Sequence, residues 1–263
     1  MNDPLVIAGK QFKSRLMVGT GRHRSMEEMV ASVEASGAEI ITVAIRRLNL
    51  DKPNEKSILD YFDWKKYTIL PNTALCKTAD EAVFTAKLAR ELTASNWIKL
   101  EVQPFFPKSL LPDPVGTFEA AKRLVADGFV VLPYIHADPI LALRLEEIGC
   151  ATVMPLGSPI GSGQGVLTLD EIKVIIAESK VPVVVDAGLA VPSEAAQVME
   201  LGASAVLVNT AIAQAKDPAL MGEAFKMGVE AGRKAFIAGR IVRRTEAVAS
   251  SPTTGVAANA TRS

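Results

Sequence analysis

Cysteine and histidine are both scarce in this chain. Its 263 residues include two cysteines, Cys76 and Cys150, which lie far apart and form no Cys-x-x-Cys pair. Such spacing excludes a zinc ribbon and a disulfide framework, and it favours two reduced thiols in a reducing compartment. The two histidines belong to no His, Asp or Glu cluster with metal-ligand spacing, so we expect neither a metal nor a cofactor.

Net charge and long apolar runs are lacking as well. Lys and Arg number 29, as do Asp and Glu, so the chain has no excess positive charge with which to neutralise nucleic-acid phosphates. No stretch approaches the roughly 18 consecutive apolar residues of a membrane span. Met1–Lys10 lacks the cationic start and apolar core of a secretory signal. We therefore expect a cytoplasmic protein that binds neither membranes nor nucleic acid.

What the chain does contain is a regular alternation of strand-like and helix-like segments. Hydrophobic residues make up 49% of it and charged residues 22%, which is typical of globular proteins. Several of the β-rich runs are continuously apolar, as in parallel strands buried on both faces. Their starts are roughly 20–30 residues apart, which fits one strand, one helix and two short loops. The eight runs begin near Leu16, Glu39, Thr68, Trp97, Phe129, Ala151, Pro182 and Ser204.

The segments between these runs carry helix-start signals. Ser25 and Thr78 each precede a glutamate by three residues, the spacing of a capping box. Eight strand–helix units predict a closed (β/α)8 TIM barrel in one domain, residues 1–249, followed by a flexible tail, residues 250–263. An open doubly wound sheet is the alternative, but the segment that begins at Gly19 lacks the third glycine of the dinucleotide-binding fingerprint.

The fourth run, Trp97–Val102, places two chemically useful residues on one face of a strand. Because side chains alternate between faces, its aliphatic residues would face the helices while Lys99 and Glu101 would point into the barrel. Burial lowers the pKa of a lysine and frees neutral amine, whereas a neighbouring carboxylate acts in the opposite direction. Lys99 would then be a nucleophile for a carbonyl, and Glu101 an acid or base. The alternative is a surface lysine at a frayed strand end.

The seventh run ends in a second candidate carboxylate, Asp186. The active site of a barrel lies at the C-terminal ends of its strands, so Asp186 would face the barrel mouth as a further acid or base. The alternative is an N-cap for the next helix. Ala187 and Gly188 follow it and would let a ligand approach the backbone closely.

Two other segments predict an anion site at the same mouth. The glycine-rich loop of residues 157–165, which includes Gly161, exposes backbone N–H groups that can hold an oxyanion. Asn209 and Thr210 end the eighth run, where barrels frequently bind phosphate. An ordinary flexible turn is the alternative for the loop. Together, the interior lysine, the two carboxylates and the anion site predict Schiff-base chemistry on a small phosphorylated ketone or aldehyde.

Four basic residues have less certain functions. Arg46 and Arg47 follow the second run and would either add charge to the mouth or form solvated salt bridges. His136 ends the fifth run, and a structural or solvent-facing role is its more typical interpretation. His23 is less informative still.

Long stretches of the chain resemble one known family, the bacterial thiazole synthases of thiamine biosynthesis. The resemblance covers about residues 16–239. Its motifs are GAEIITVAIRR at 37–47, LPNTA at 70–74, WIKLEV at 97–102, LLPDP at 110–114, VMPLGSPIGSGQG at 153–165, VPVVVDAGL at 181–189 and VLVNTAIAQAKDP at 206–218.

The resemblance implies a transferase reaction that incorporates sulfur into a thiazole. 1-Deoxy-D-xylulose 5-phosphate would condense with Lys99, and Glu101 and Asp186 would move protons to migrate the carbonyl along the sugar. The thiocarboxylated C-terminus of a small ubiquitin-like sulfur carrier would then attack, and dehydroglycine from another enzyme would supply the remaining carbon and nitrogen. The resemblance further implies a dimer or tetramer, with the sugar phosphate held by Gly161, Ala187, Gly188, Asn209 and Thr210.

The chain departs from the family pattern in three places. Leu75 stands before Cys76 where the family often has glycine, the segment Gln103–Pro107 is unusually apolar and proline-rich, and His136-Ala137 stands where polar or acidic residues are more common. These departures affect the expected shape of the mouth and carrier docking rather than the chemistry. Two other hypotheses stay open from the sequence: a Schiff-base aldolase acting on another sugar phosphate, and a catalytically inactive barrel that serves as a scaffold.

Overall fold

The computed structural model describes residues 3–45 and 56–251. Its main feature is a sheet of eight parallel strands, preceded by a short antiparallel hairpin of β1 (Leu5–Ile7) and β2 (Lys10–Phe12). The eight strands are β3 (Leu16–Gly19), β4 (Ile40–Ala44), β5 (Thr68–Asn72), β6 (Trp97–Leu100), β7 (Val130–Ile135), β8 (Met154–Pro155), β9 (Val184–Asp186) and β10 (Ala205–Val208).

The order of the strands closes the sheet into a barrel. Neighbouring strands follow the order β8-β7-β6-β5-β4-β3-β10-β9, and parallel bridges from Val153 to Val183 and from Leu156 to Asp186 join the two ends. Each of the eight predicted runs contains one of these strands. The predicted single-domain (β/α)8 barrel is therefore confirmed, and the open doubly wound alternative is wrong.

Helices connect the strands and form the outer layer. The capping residues identified in the sequence lie where helices begin. The side chains of Ser25 and Thr78 accept hydrogen bonds from the backbone N–H groups of Glu28 and Glu81. A 3-10 helix spans Ile58–Tyr61. The α-helices are α1 (Met26–Ser36), α2 (Ala79–Thr93), α3 (Pro114–Ala126), α4 (Pro139–Glu147), α5 (Leu169–Glu178), α6 (Pro192–Glu200), α7 (Thr210–Ala213) and α8 (Pro218–Ala238). No helix in the described ranges is long and apolar enough to cross a membrane.

Two separate apolar layers form the core. The larger layer lies between the strands and the helices. The smaller layer lies inside the barrel, on the side of the N-terminal hairpin. Because strand side chains alternate between faces, most of the barrel strands contribute to both layers. The interior layer consists of Leu5, Ile7, Phe12, Met17, Ile40, Leu70, Leu132, Met154, Val184, Ala205 and Leu207.

The N-terminal hairpin forms the floor of the barrel, and the sequence analysis assigned it no structure. Phe12 packs edge-on against Trp97 inside the barrel, with the ring centres 5.8 Å apart. Asp3 anchors the hairpin through hydrogen bonds of 2.7 and 2.8 Å from the guanidinium of Arg233 on α8. This floor leaves the C-terminal mouth as the open end of the barrel.

Two predicted features fall on residues that are not described. Arg46 and Arg47 lie outside the described residues, and so does most of the tail predicted for residues 250–263. The flexible tail and the boundary at residue 249 stay predictions.

The floor generates a stability prediction. We expect Phe12→Ala to lower the free energy of unfolding by about 3–5 kcal/mol, since it leaves a cavity beneath Trp97. Val6→Ala is the matched control, because Val6 is 43% exposed whereas Phe12 is 3% exposed. Urea denaturation of both variants measures the difference, and equal losses would contradict the role of Phe12 as the floor.

Candidate active site

A cavity of about 1020 Å³ opens at the C-terminal ends of the barrel strands. Lys99, Glu101 and Asp186 line it, as the position of these residues at strand ends predicted. The cavity is large enough for a small phosphorylated substrate and a second reactant.

Strand alternation places Lys99 and Glu101 as expected. Ile98, Leu100 and Val102 belong to the outer core, so the residues between them face the interior. The hydroxyl of Thr73, which follows β5, accepts a hydrogen bond from the backbone N–H of Glu101 and donates one to its carbonyl, each at 2.8 Å. This pair of bonds fixes the chain where β6 ends, and the surface-lysine alternative is wrong.

Lys99 lies between two carboxylates in a buried ion-pair cluster. Its Nζ is 2.6 Å from Oδ2 of Asp186 and 3.4 Å from Oε1 of Glu101. Lys99 is 5% exposed, and the two carboxylates are each 3% exposed. The amine therefore has two proton acceptors within reach and little contact with water.

The carboxylates decide the charge of the amine. Burial by itself lowers the pKa of Lys99, but the negative charges of Asp186 and Glu101 outweigh burial and raise that pKa to about 12. The sequence analysis named both effects and expected burial to free some neutral amine, and the two nearby carboxylates contradict that expectation. Lys99 rests as an ammonium and becomes nucleophilic only when it gives a proton to a neighbouring group.

Glu101 has a pKa raised by its surroundings. Burial raises its pKa, the nearby Asp186 adds to the rise, and Lys99 and Gln103 act in the opposite direction. A carboxyl group with a raised pKa exchanges protons more easily near neutral pH than one with an ordinary value.

Gln103 is a residue whose function the sequence analysis missed. Its Nε2 donates to Oε2 of Glu101 at 2.8 Å, and its Oε1 accepts from the backbone N–H of Leu75 at 2.9 Å. The alternation that identified Lys99 and Glu101 also places Gln103 on the interior face, two residues further on. That spacing was the signal for it.

Asp186 is not a helix cap. Helix α6 begins after Val191, five residues further along the chain, so the N-cap alternative is wrong. The backbone turns sharply after Asp186, with φ of 62° at Ala187 and 81° at Gly188. A side chain at Gly188 would begin 1.8 Å from Oγ of Ser158, so this position requires glycine.

The predicted anion-binding residues share one wall of the cavity. Gly161, Ala187, Gly188, Asn209 and Thr210 all line it. A side chain built on Gly161 would begin 3.8 Å from Oγ1 of Thr210, so the two loops are close neighbours. Among the described residues, the backbone N–H groups of Gly161 and Gly188 make no hydrogen bond.

The histidines differ from each other in position. His136 is half-buried and does not line the cavity, which fits the structural interpretation. His23 does line the cavity, its Nε2 lies 2.9 Å from Oγ of Ser32, and burial lowers its pKa. Within the described ranges no group of three or more His, Cys, Asp or Glu could hold a metal ion.

Comparison with known proteins matches the chain to a family. The family described as thiazole biosynthesis protein ThiG matches residues 6–252. A thiazole synthase of Synechococcus sp. is 58% identical over 260 residues, which are 97% of this chain and 94% of that protein. The chain belongs to the thiazole synthase (ThiG) family. It is an enzyme of thiazole formation in thiamine biosynthesis, and the family resemblance of the sequence is confirmed.

Two further relatives are a longer bifunctional protein and a chain from a two-protein complex. The bifunctional protein ThiO/ThiG of Nostoc sp. is 56% identical over 261 residues, which are 97% of this chain but 40% of that longer protein. A chain in the crystal structure of the BexX/CysO complex of Amycolatopsis orientalis has a TM-score of 0.83 and 31% identity, over 93% of this chain and all of that one. Membership of the thiazole synthase family argues against both the aldolase and the scaffold hypotheses.

The turn after Asp186 generates a prediction for this thiazole synthase. We expect Gly188→Ala to lower the free energy of unfolding by about 3–5 kcal/mol, because a positive φ and a clash with Ser158 add together. Gly163→Ala should cost about 1–2 kcal/mol, since Gly163 has a φ of 62° and its nearest neighbour would be 3.7 Å away. Urea denaturation compares the two, and equal costs would contradict the close approach of Ser158.

Proposed function

We propose that this enzyme forms thiazole phosphate from 1-deoxy-D-xylulose 5-phosphate, dehydroglycine and a thiocarboxylated sulfur carrier, through an imine on Lys99. The observation that carries the proposal is the buried Lys99 ammonium between Asp186 and Glu101, on the wall of a large cavity in a thiazole synthase. A lysine in such a position supports covalent catalysis on a carbonyl.

The first step forms the imine. The Lys99 ammonium gives a proton to one of its two neighbouring carboxylates, Asp186 at 2.6 Å or Glu101 at 3.4 Å, and the free amine attacks the carbonyl carbon of the sugar. The carbonyl electron pair moves to oxygen. The oxygen then takes up two of the three ammonium protons, one after the other, and the third stays on nitrogen. The carbon–oxygen bond then breaks, water leaves and a protonated carbon–nitrogen double bond remains, so atoms and charge balance.

The second stage moves protons along the sugar. An imine acidifies the neighbouring carbon–hydrogen bond, because its nitrogen accepts the electron pair. Asp186 and Glu101 both lie beside Lys99 Nζ, so one can remove a proton from carbon while the other delivers one nearby. The raised pKa of Glu101 suits it to the delivery.

The phosphate of the sugar would bind at the cavity wall formed by Gly161, Ala187, Gly188, Asn209 and Thr210. The unbonded backbone N–H groups of Gly161 and Gly188 supply donors, and both residues line the cavity without a side chain that would cover the backbone. The ends of later strands commonly hold phosphate in barrels of this kind.

Two partner proteins would supply the remaining atoms of the thiazole ring. A ubiquitin-like carrier would deliver sulfur from its C-terminal thiocarboxylate, and the structural relative from the two-protein BexX/CysO complex supports docking of a second protein. A separate enzyme would supply dehydroglycine. We further propose that the chain works in the cytoplasm, which its two buried, reduced thiols favour, as a dimer or tetramer joined through exposed apolar residues such as Phe84 and Ile140.

Trapping of the imine tests the proposal. Borohydride added to the enzyme and 1-deoxy-D-xylulose 5-phosphate should fix the sugar to Lys99, and mass spectrometry should locate the adduct. We expect Lys99→Ala to lose the adduct and nearly all thiazole product. Lys99→Arg should fail equally, because its guanidinium stays protonated and cannot condense.

The matched control is Lys173→Ala, since Lys173 lies on the surface and forms an exposed ion pair with Asp170. That variant should keep both adduct and product. A Lys99→Ala protein that still binds the sugar covalently would contradict the proposal.

The two carboxylates generate a separate prediction. Glu101→Gln and Asp186→Asn should each still form the trapped adduct, while thiazole formation falls by roughly 10²–10⁴, the usual effect of losing a general acid or base. Exchange of the carbon-bound proton of the sugar with deuterated water, measured without sulfur carrier, reports the proton transfer directly. Exchange in both variants at the unmodified rate would show that neither carboxylate transfers that proton.

A further inference from the structure

Tyr134 on β7 is a buried residue to which the proposed mechanism gives no function. Its side chain is fully buried, and strand alternation places it inside the barrel, two residues beyond the interior residue Leu132. The Nζ of Lys99 lies 5.5 Å from the centre of its ring, within the range of a cation–π contact.

The hydroxyl of Tyr134 has no hydrogen-bond partner among the described residues. A buried hydroxyl without a partner lowers stability, and a phenylalanine would fill the same space without that cost. The charges of Asp186 and Glu101 add to burial in raising the pKa of Tyr134, so the phenol stays protonated and serves as a donor. The Tyr134 hydroxyl is therefore a hydrogen-bond donor without a partner among the described residues, close to the reactive amine.

An acceptor without a hydrogen bond also lies beside the same amine. Oδ2 of Asp186 contacts Lys99 Nζ at 2.6 Å, but this ion pair lacks the angles of a hydrogen bond, and the atom makes no other. Glu101 differs, because its Oε2 already accepts from Gln103 at 2.8 Å. Of the two carboxylates, Asp186 depends more on Lys99.

Imine formation removes the partner on which Asp186 depends. An ammonium has three N–H groups, whereas a protonated imine has one and carries the bulk of the sugar. One N–H cannot serve both carboxylates. Asp186 then needs a new donor, and the Tyr134 hydroxyl is a buried donor without a partner among the described residues, on a ring whose centre is 5.5 Å from Lys99 Nζ.

We propose that the Tyr134 hydroxyl donates a hydrogen bond to Asp186 once Lys99 has become an imine, so that Asp186 stays ionised and oriented as the base of the next proton transfer. Tyr134 is thus a positioning residue that acts through Asp186. The proposal rests on the proposed function, because it requires the imine on Lys99.

The surroundings of Asp186 make this effect measurable through pH. Among the described residues, the titratable groups that face Asp186 are Lys99 on β6, Glu101 just after that strand and Tyr134 on β7. Leu156, just after β8, and Leu207, on β10, are apolar residues at its level on the two flanking sides. Removal of one hydroxyl should therefore change the pH dependence of the base and leave the other charges in place.

The experiment compares Tyr134→Phe with the unmodified enzyme. Borohydride trapping with 1-deoxy-D-xylulose 5-phosphate should be unchanged, and the melting temperature should be equal or higher. The acidic limb of the pH profile for exchange of the sugar's carbon-bound proton should move up by about 0.5–1 pH unit, because a carboxylate that loses a hydrogen-bond donor binds its proton more tightly. On that limb the exchange rate should fall roughly three- to tenfold.

Tyr67→Phe is the matched control. Tyr67 is also buried, but it packs against Phe62 in the outer core and does not line the cavity. Its profile should superimpose on that of the unmodified enzyme.

Two results would overturn the Tyr134 proposal alone. Superimposable profiles for Tyr134→Phe and the unmodified enzyme would show that the hydroxyl does not act on the base. Loss of trapping in Tyr134→Phe would show that it acts before the imine forms. If the unmodified enzyme itself traps no imine, the proposed function fails and this inference fails with it.

Discussion

One buried ammonium between two carboxylates is the constraint on which the active end of the barrel depends. Removing one partner from a buried ion pair costs about 3–5 kcal/mol, because the remaining charge stays without compensation. Asp186 and Glu101 must therefore be held close to Lys99. The chain provides this by placing Lys99 and Asp186 in the ends of β6 and β9 and Glu101 directly after β6.

The backbone around the cluster reflects that requirement. Thr73 holds the carbonyl and N–H of Glu101, and Gly157 donates its N–H to the carbonyl of Asp186 at 2.9 Å. At the opposite end, the N-terminal hairpin and the interior layer of apolar residues fill the barrel. Water thus has access from one side only, and exclusion of water strengthens each electrostatic interaction in the cluster.

The sequence contained enough to predict the barrel, its helix starts and the three clustered residues. Those features depend on local rules: continuous apolar runs, capping residues, and the alternation of side chains along a strand. It did not predict the hairpin floor, because β1 and β2 are three residues each and too short to give a periodic signal. Nor did it predict the net pKa of Lys99, which depends on how closely Asp186 approaches from β9, three strands away.

Two departures from the family pattern, Leu75 and Gln103, are connected by a hydrogen bond in the structure. Leu75 stands where thiazole synthases often have glycine, and its φ of 71° explains that preference. A non-glycine residue in this conformation costs about 1–2 kcal/mol. The 2.9 Å hydrogen bond from its N–H to Gln103 Oε1 offsets part of that cost.

The same amide of Gln103 also holds Glu101, through Nε2 at 2.8 Å. The strained turn at the mouth and the position of the acid are therefore coupled through one side chain. Leu75 and Gln103 are 28 positions apart in the chain, so no local pattern could connect them. The two departures that the sequence presents separately form one unit in the fold, and that unit orients Glu101 toward Lys99.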